Sequence, residues 1–363
     1  MAILLAIVVF VIILALLVLV HEWGHFRAAR KFGIRVDEFG FGFPPKIFGK
    51  KYGETEYTLN WIPLGGFVKI FGEQRGEGEG DPNSFISKPV WQRMIVILAG
   101  VFMNWVLAVV LLTVGFLYGL PQLVTDENAE RARDVSVAIT QIAPNSPAKE
   151  AGFKVGDSIT QLSFEEESVA IAEPEELQGF VNTHKGENIL VDVERGKETL
   201  EISVVPRVQV PEGEGAMGIA MGKVGIVSSV WYKAPWDGLK TTALMTVAFV
   251  NGFYEIIKNL IVTGEAGVDI AGPIGIGQLT YQFTQLGLSH LIQFAAILSI
   301  NLAIINALPI PALDGGRFVF LVIEAIKRSP VSEKMENAFQ TAGIVFLILL
   351  MVAVTIKDIL RFF

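Results

Sequence analysis

The chain has 363 residues, 52% of them hydrophobic and 18% charged, with a mean hydropathy of +0.50 and a formal net charge of −8. This is too apolar for an ordinary soluble enzyme and too polar for a bare bundle of spans, and it fits a membrane protein carrying a soluble module. With no cysteine, disulfides, thiolate metal ligands and cysteine nucleophiles are excluded, so a metal must take His, Asp or Glu; the acidic balance argues against nucleic acid as a partner.

The first segment, MAILLAIVVFVIILALLVLV, is long enough to cross a bilayer. It lacks a basic n-region and a small-residue cleavage site, so it reads as a retained span rather than a signal peptide. It runs without a break into HEWGH, placing His21, Glu22 and His25 at a depth where ionisable groups are costly and usually functional. Residues 26 to 93 hold eleven Lys and Arg, which puts this loop in the cytoplasm and the N-terminus outside. Inside the loop, residues 54 to 71 carry aromatic and β-branched residues on both sides of Pro63 and Gly65-Gly66, a pattern that reads as a β-hairpin. RGEGEGDPNS, residues 75 to 84, reads as a polar flexible loop.

Residues 91 to 118 form a second span, directed outward and interrupted by Asn104. Residues 121 to 233 turn acidic, with nineteen Asp and Glu against ten Lys and Arg, and alternate as in NILVDVE. That is a small soluble domain rich in strands, on the outer side. In residues 235 to 262 the apolar run is too short to cross unaided, and its continuation is interrupted by Asn251, Glu255, Lys258 and Asn259, so an amphipathic interfacial or re-entrant helix is expected. LIQFAAILSINLAIINALPIPALDGG is a third span, broken at Pro309 and Pro311, and TAGIVFLILLMVAVTIKDIL is a fourth.

On a helix His21 and His25 share one face, so both imidazoles can reach one ion with Glu22 beside it. Two buried histidines satisfied by hydrogen bonds are the bland alternative. A metal site of this kind needs a third protein ligand and an open position for water. Asp37 and Glu38 are near in sequence but sit in a polar stretch; Asp314, after the broken span, is preferred. His290 reads as interfacial and His184 as a residue of the soluble domain. Asp314 meets the histidines only if its span also runs inward, which requires one outward crossing between them and forbids residues 235 to 262 from crossing.

Together, HEWGH, PLGGFVK, AGPIGI at 271 to 276 and NALPIPALDGG at 306 to 316 resemble the site-2 protease family of intramembrane zinc metalloproteases, of the bacterial regulator of sigma-E protease type. The resemblance implies zinc bound by His21, His25 and Asp314, with Glu22 as catalytic acid/base. One departure is AGVFMNW, with Val101 where the family commonly has proline before the Asn. ITQIAPNSPAKEAGFKVGDSITQL, with Gly152 and Gly156-Asp157 at its turn, resembles a PDZ module, and EPEELQGFVNTHKG would be the helix flanking its groove. GAMGIA is either its carboxylate-binding loop or a plain glycine-rich connection.

The expected fold is therefore a polytopic α-helical membrane protein with four transmembrane helices, a cytoplasmic-side membrane-associated β-hairpin and an amphipathic interfacial helix, with one inserted extracytoplasmic PDZ domain of α+β class. Its divisions are 1–120, 121–233, 234–290 and 291–363. The expected activity is endoproteolysis within the transmembrane segments of single-span proteins, such as an anti-sigma factor or signal-peptide remnants, after their ectodomains are trimmed. The expected location is the bacterial inner membrane, with the active site toward the cytoplasm. Substrate contacts are expected from Gly65, Gly66, Phe67, Val68 and Lys69, as an edge strand for the unwound substrate, and from the Asn306 amide. The alternatives are a PDZ-containing scaffold with a non-hydrolytic metal site, a zinc transporter, and a metalloprotease acting outside the membrane.

Overall fold

A computed structural model of the protein describes residues 2–73, 77–196, 198–211, 213–264 and 272–360. Helix α1 (Ala2–Lys31) is almost wholly apolar until His21, and a helix lets such a run satisfy its backbone polar groups internally in lipid. Arg30 and Lys31 occupy its last turn, where cations suit the helix dipole, and Gly33 comes next at φ +65° to turn the chain.

Strands β1 (Val36–Tyr52) and β2 (Thr55–Ile70) form an antiparallel pair closed where Tyr52 faces Thr55, with Gly53 at φ +63°. The tight turn is therefore here and not at Pro63 to Gly66, where the residue pattern alone places it. The inner part of β1, Phe39–Phe41, pairs with Tyr57–Leu59 on one side and with Gly66–Val68 on the other. The Gly65-Gly66 kink thus carries the chain from one flank of β1 to the other. It leaves Gly66–Ile70 paired on one side only, among the described residues.

Helix α2 (Val90–Tyr118) starts after Pro89 and stops at Gly119, at φ +102°, whose N–H bonds back to Gly115. It runs antiparallel to α1 in close contact: a Cβ on Gly24 would strike the Ala99 carbonyl. The chain then builds a seven-stranded sheet from β3 (Leu120–Leu123), β4 (Ala132–Ile142), β5 (Ser158–Phe164), β6 (Glu167–Ala170), β7 (Ile189–Arg195), β8 (Glu198–Val204) and β9 (Ile219–Val227), with helices α3 (Pro147–Glu150) and α4 (Pro174–Thr183). The strand order is β3-β9-β4-β5-β7-β8, and β6 pairs with β5. Alternate residues of β7, Ile189, Val191 and Val193, are buried beneath Leu177, Phe180 and Val181 of α4. Asp157, fully buried, takes two hydrogen bonds of 2.7 Å from Arg195. That carboxylate holds the guanidinium above its ordinary pKa. Leu120 of β3 and Val227 of β9 are buried among Leu112 and Phe116 of α2 and Ala296 and Ile300 further on, which ties the sheet to the helices.

Helix α5 (Ala234–Val262) is one continuous 29-residue helix. It descends along α2 in the opposite direction, with Gly238 against Thr113 and Trp105 donating to Thr246 at 3.2 Å. Helices α6 (Pro273–Leu286), α7 (Leu288–Ala307), α8 (Asp314–Lys327) and α9 (Glu333–Leu360) complete the chain. Among the described residues five helices are long and apolar enough to cross a membrane: α1, α2, α5, α7 and α9. Four spans were expected; the polar residues Asn251 to Asn259 do not break α5, because each can hold helical backbone and turn its side chain outward. Of AGPIGI, Ala271 lies outside the described residues. Gly272 and Pro273 open α6, where the buried Asp358 carboxylate of α9 accepts the N–H groups of Gly272 (3.3 Å) and Gly275 (2.8 Å).

Candidate metal centre

Two sequence features aim the side chains of the site. His21 and His25 lie one turn apart on α1, and both are buried against α2. Asp314 is delivered by a helix break: Leu308, before Pro309, is extended at φ −65°, ψ 145°, so α7 ends at Ala307 and α8 starts at Asp314. Gly315 and Gly316 come next because a Cβ on either would overlap the carbonyls of Ala307, Leu308 or Ile310.

The three side chains converge. His21 Nε2 lies 3.1 Å and His25 Nε2 3.3 Å from Asp314 Oδ2, and the two Nε2 atoms are 3.2 Å apart. Zinc with bonds of about 2.0–2.2 Å to nitrogen and oxygen, in a tetrahedron, would set its ligand atoms about 3.3 Å apart, and these three atoms are spaced accordingly. The chemistry of the donors agrees. His25 Nδ1 donates to the Val96 carbonyl at 2.8 Å, so a neutral His25 presents a bare lone pair on Nε2. That lone pair faces Asp314 Oδ2, which is buried without a hydrogen-bond partner. Converging lone pairs repel unless a cation lies between them, so the residues fit zinc.

Helix α2 forms the back wall of the site. Gly100 faces both imidazoles, and a Cβ there would come within 2.8 Å of His21 Cε1 and closer still to His25. The sequence analysis gave Gly100 no role; its signal was its place in AGVFMNW, the segment that resembles the family's second span. A cavity of about 800 Å³ opens in front, lined by His21, Glu22, His25 and Asp314 together with Phe43, Phe67, Val68 and Ile70 of the β-strands. A second cavity of about 430 Å³ shares Glu73, Phe85, Ile97, Arg317 and Gln340 with it, and Arg317 pairs with Glu73 at their junction.

The other expected residues are distributed around this centre. Gly66 abuts Val18 and Glu22; a Cβ there would sit 3.5 Å from Glu22 Cγ. Gly65, at φ +104°, lies against Phe43, while Lys69 is exposed and outside the cavity lining. Asn306 is half-buried on the last turn of α7 and is likewise outside that lining. Asp37 is paired with Arg35 at 2.8 Å and Glu38 accepts from Thr58 at 2.6 Å, so both rivals to Asp314 are engaged in the strands. His184 is buried in the sheet domain, with Nδ1 donating to the Phe180 carbonyl at 2.9 Å, and His290 lies at the far end of α7.

Residues 9–350 match peptidase family M50. The chain belongs to peptidase family M50. It is 32% identical to the regulator of sigma-W protease RasP of Bacillus subtilis, over 98% of this chain and 99% of that protein. It is 30% identical to the zinc metalloprotease RasP of Oceanobacillus iheyensis over the same shares. A Nostoc protein provisionally named as a zinc metalloprotease is 36% identical over 95% of this chain and 93% of its own. This M50 peptidase is a zinc-dependent metalloendopeptidase of the membrane.

Proposed function

We propose that this M50 peptidase cuts the transmembrane segments of single-span membrane proteins, using His21, His25 and Asp314 as zinc ligands and Glu22 as general base and acid. The observation that carries the reading is the convergence of three ligand atoms, each within 3.3 Å of the others, between the long apolar helices α1 and α2 and the break before α8. When bound, zinc would supply Lewis acidity that lowers the pKa of water to about 7, so that the nucleophile forms near neutral pH. Glu22, beside the ligands in the same cavity, would take the proton of the attacking water as it adds to the scissile carbonyl. The same carboxyl then gives a proton to the departing amine nitrogen, and the peptide bond is exchanged for a carboxylate and an amine.

A helical substrate has its carbonyls already bonded, so it must unwind first. Among the described residues Gly66–Ile70 is paired on one side only, with Gly66 beside Glu22, and an unwound segment could add there as a strand, with backbone pairing that tolerates many sequences. Side chains at Gly66 would obstruct that approach. Asn306 is assigned a hydrogen bond to the substrate carbonyl; Asn306→Leu is expected to raise KM, and an unchanged KM would reduce it to a packing residue.

The sheet domain of residues 121 to 233 is read as a single PDZ domain on the outer face. A groove of about 440 Å³ lies between α4 and β9, lined by Leu177, Val181, Met217, Ile219 and Met221, and GAMGIA leads into it. It would bind a C-terminus exposed by an earlier cut, or admit only trimmed substrates. RasP of Bacillus subtilis is named for regulating sigma-W, so an anti-sigma factor is the first substrate to try, with signal-peptide remnants second. Deleting residues 130 to 225 should erase the preference for trimmed over intact substrate; unaltered selectivity would contradict both roles.

Four crossings are the preferred topology. Helices α1 and α7 both run counter to α2, so the chain must be outside before α7. If α5 crossed inward, residues 263 to 287 would have to return the chain before α7, and the helix within them, α6, spans only about 21 Å of a hydrocarbon core about 30 Å thick. The ligands and base are tested with a trimmed single-span substrate: wild type should cut it, whereas Glu22→Gln should hold zinc and fail to cut. Cleavage by Glu22→Gln at the wild-type rate would overturn the assignment.

A further inference from the structure

Helix α2 presents Val96, Gly100 and Asn104 at successive turns of one face, opposite His25 and His21. The two helices are antiparallel, so Val96 meets His25, Gly100 leaves room for both rings, and Asn104 meets His21. The Val96 carbonyl fixes His25 by accepting from Nδ1 at 2.8 Å. Asn104 is completely buried, and its side-chain amide lies 3.4 Å from His21 Nδ1. The amide is oriented with Nδ2 toward the ring and Oδ1 buried with no hydrogen-bond partner.

Oxygen and nitrogen of an Asn amide have the same shape, so their assignment is set by the hydrogen-bond network. His21 Nε2 is the atom that meets His25 Nε2 and Asp314 Oδ2, and a metal ligand there must keep its lone pair. The ring proton of a neutral His21 then sits on Nδ1, and the group facing it must accept. Turning the amide by half a rotation satisfies this, placing Oδ1 against His21 Nδ1 and Nδ2 where Oδ1 stood. The Asn104 backbone carbonyl accepts from Ser299 at 2.7 Å, which locks this turn of α2 against α7.

We propose that Asn104 is a positioning residue of the metal site: its Oδ1 accepts from His21 Nδ1–H and so fixes the tautomer and ring orientation that present Nε2 to zinc. It does for His21 what the Val96 carbonyl does for His25. The partner of a ligating imidazole typically changes metal affinity by about 10- to 100-fold when removed. This inference rests on His21 being a zinc ligand.

The test is zinc affinity of the full-length protein in detergent, by competition with a chelator, for wild type, Asn104→Leu, Asn104→Asp and His21→Ala. Asn104→Leu, similar in size but unable to accept, should bind zinc about 10- to 100-fold more weakly. Asn104→Asp, which can only accept, should bind as tightly as wild type or more so. Wild-type affinity in Asn104→Leu would overturn the inference and leave the ligand assignment standing. Equal losses in both Asn104 variants would show that the amide donates, which also overturns it. Full zinc in His21→Ala would remove the ligand assignment and the inference with it. One measurement needs no substitution: with only four histidines, the ¹⁵N spectrum of the zinc-loaded, ¹⁵N-histidine-labelled chain distinguishes the tautomers. His21 should be ligated through Nε2 with its proton on Nδ1; ligation through Nδ1 would contradict the proposal.

Discussion

At Gly100 the site depends on a side chain that is not there. The two imidazoles lie against its Cα face, so Gly100→Ala must push at least one of them away from Asp314. We expect this variant to retain its fold and lose most of its zinc, read by metal analysis of the purified protein; full zinc occupancy would mean that the wall can yield. Gly66→Val acts on the other side of the cavity, where added carbon meets Val18 and Glu22. Its zinc should be normal and its cleavage rate at least tenfold lower, and an unchanged rate would argue against substrate pairing along β2. The meeting of His21, His25 and Asp314 was legible in the sequence, because HEWGH carries its own helical spacing and LDGG sits at a helix break. Gly100 and Asn104 were not: one looked like an ordinary small residue of a span and the other like a polar interruption. Their roles exist only once α2 lies antiparallel to α1.

Among the elements, the long apolar helices were dictated directly by composition, and the ending of α7 at Ala307 by Pro309. The strands were not. Gly65 and Gly66 have turn chemistry, but the turn that closes β1 onto β2 is at Gly53, and the Gly65-Gly66 kink moves the chain to a second flank of the same strand. A local pattern cannot reveal which strand will be the partner. Nor could it join α2 to α8, which are held near the start of α2 and the end of α8 by Arg93 and Glu324, a buried pair with two hydrogen bonds of 3.1 and 2.5 Å. Removing one member strands the other charge, at a cost of about 3–5 kcal/mol, whereas replacing both by apolar residues costs little. Glu324→Gln should therefore lower Tm in detergent by several degrees, and Arg93→Met with Glu324→Leu should recover most of it. Equal melting of all three proteins would contradict the coupling.

For the whole molecule, the sheet domain, the helices and the β1–β2 pair succeed one another along α1 and α2, with the His21, His25 and Asp314 cluster between the sheet and the strands. The sheet is seated on α2 and α7 through Leu120 and Val227, while the His21, His25 and Asp314 cluster lies further along α1, beyond Leu17. The four-crossing topology is checked by labelling, which the lack of native cysteine makes simple. A single cysteine at Lys258 should react with an impermeant maleimide from the outer side; labelling only from the cytoplasmic side would mean that α5 crosses and that the chain returns before α7.

The most direct measurement is the position of the cut. A single-span substrate with a shortened ectodomain, reconstituted with the peptidase in lipid vesicles, is analysed by mass spectrometry of its products. The account predicts one main cleavage within the apolar span, present with wild type and absent with zinc-loaded Glu22→Gln. Cleavage confined to the segments outside the span, or products that persist with Glu22→Gln, would contradict intramembrane proteolysis at His21, His25 and Asp314.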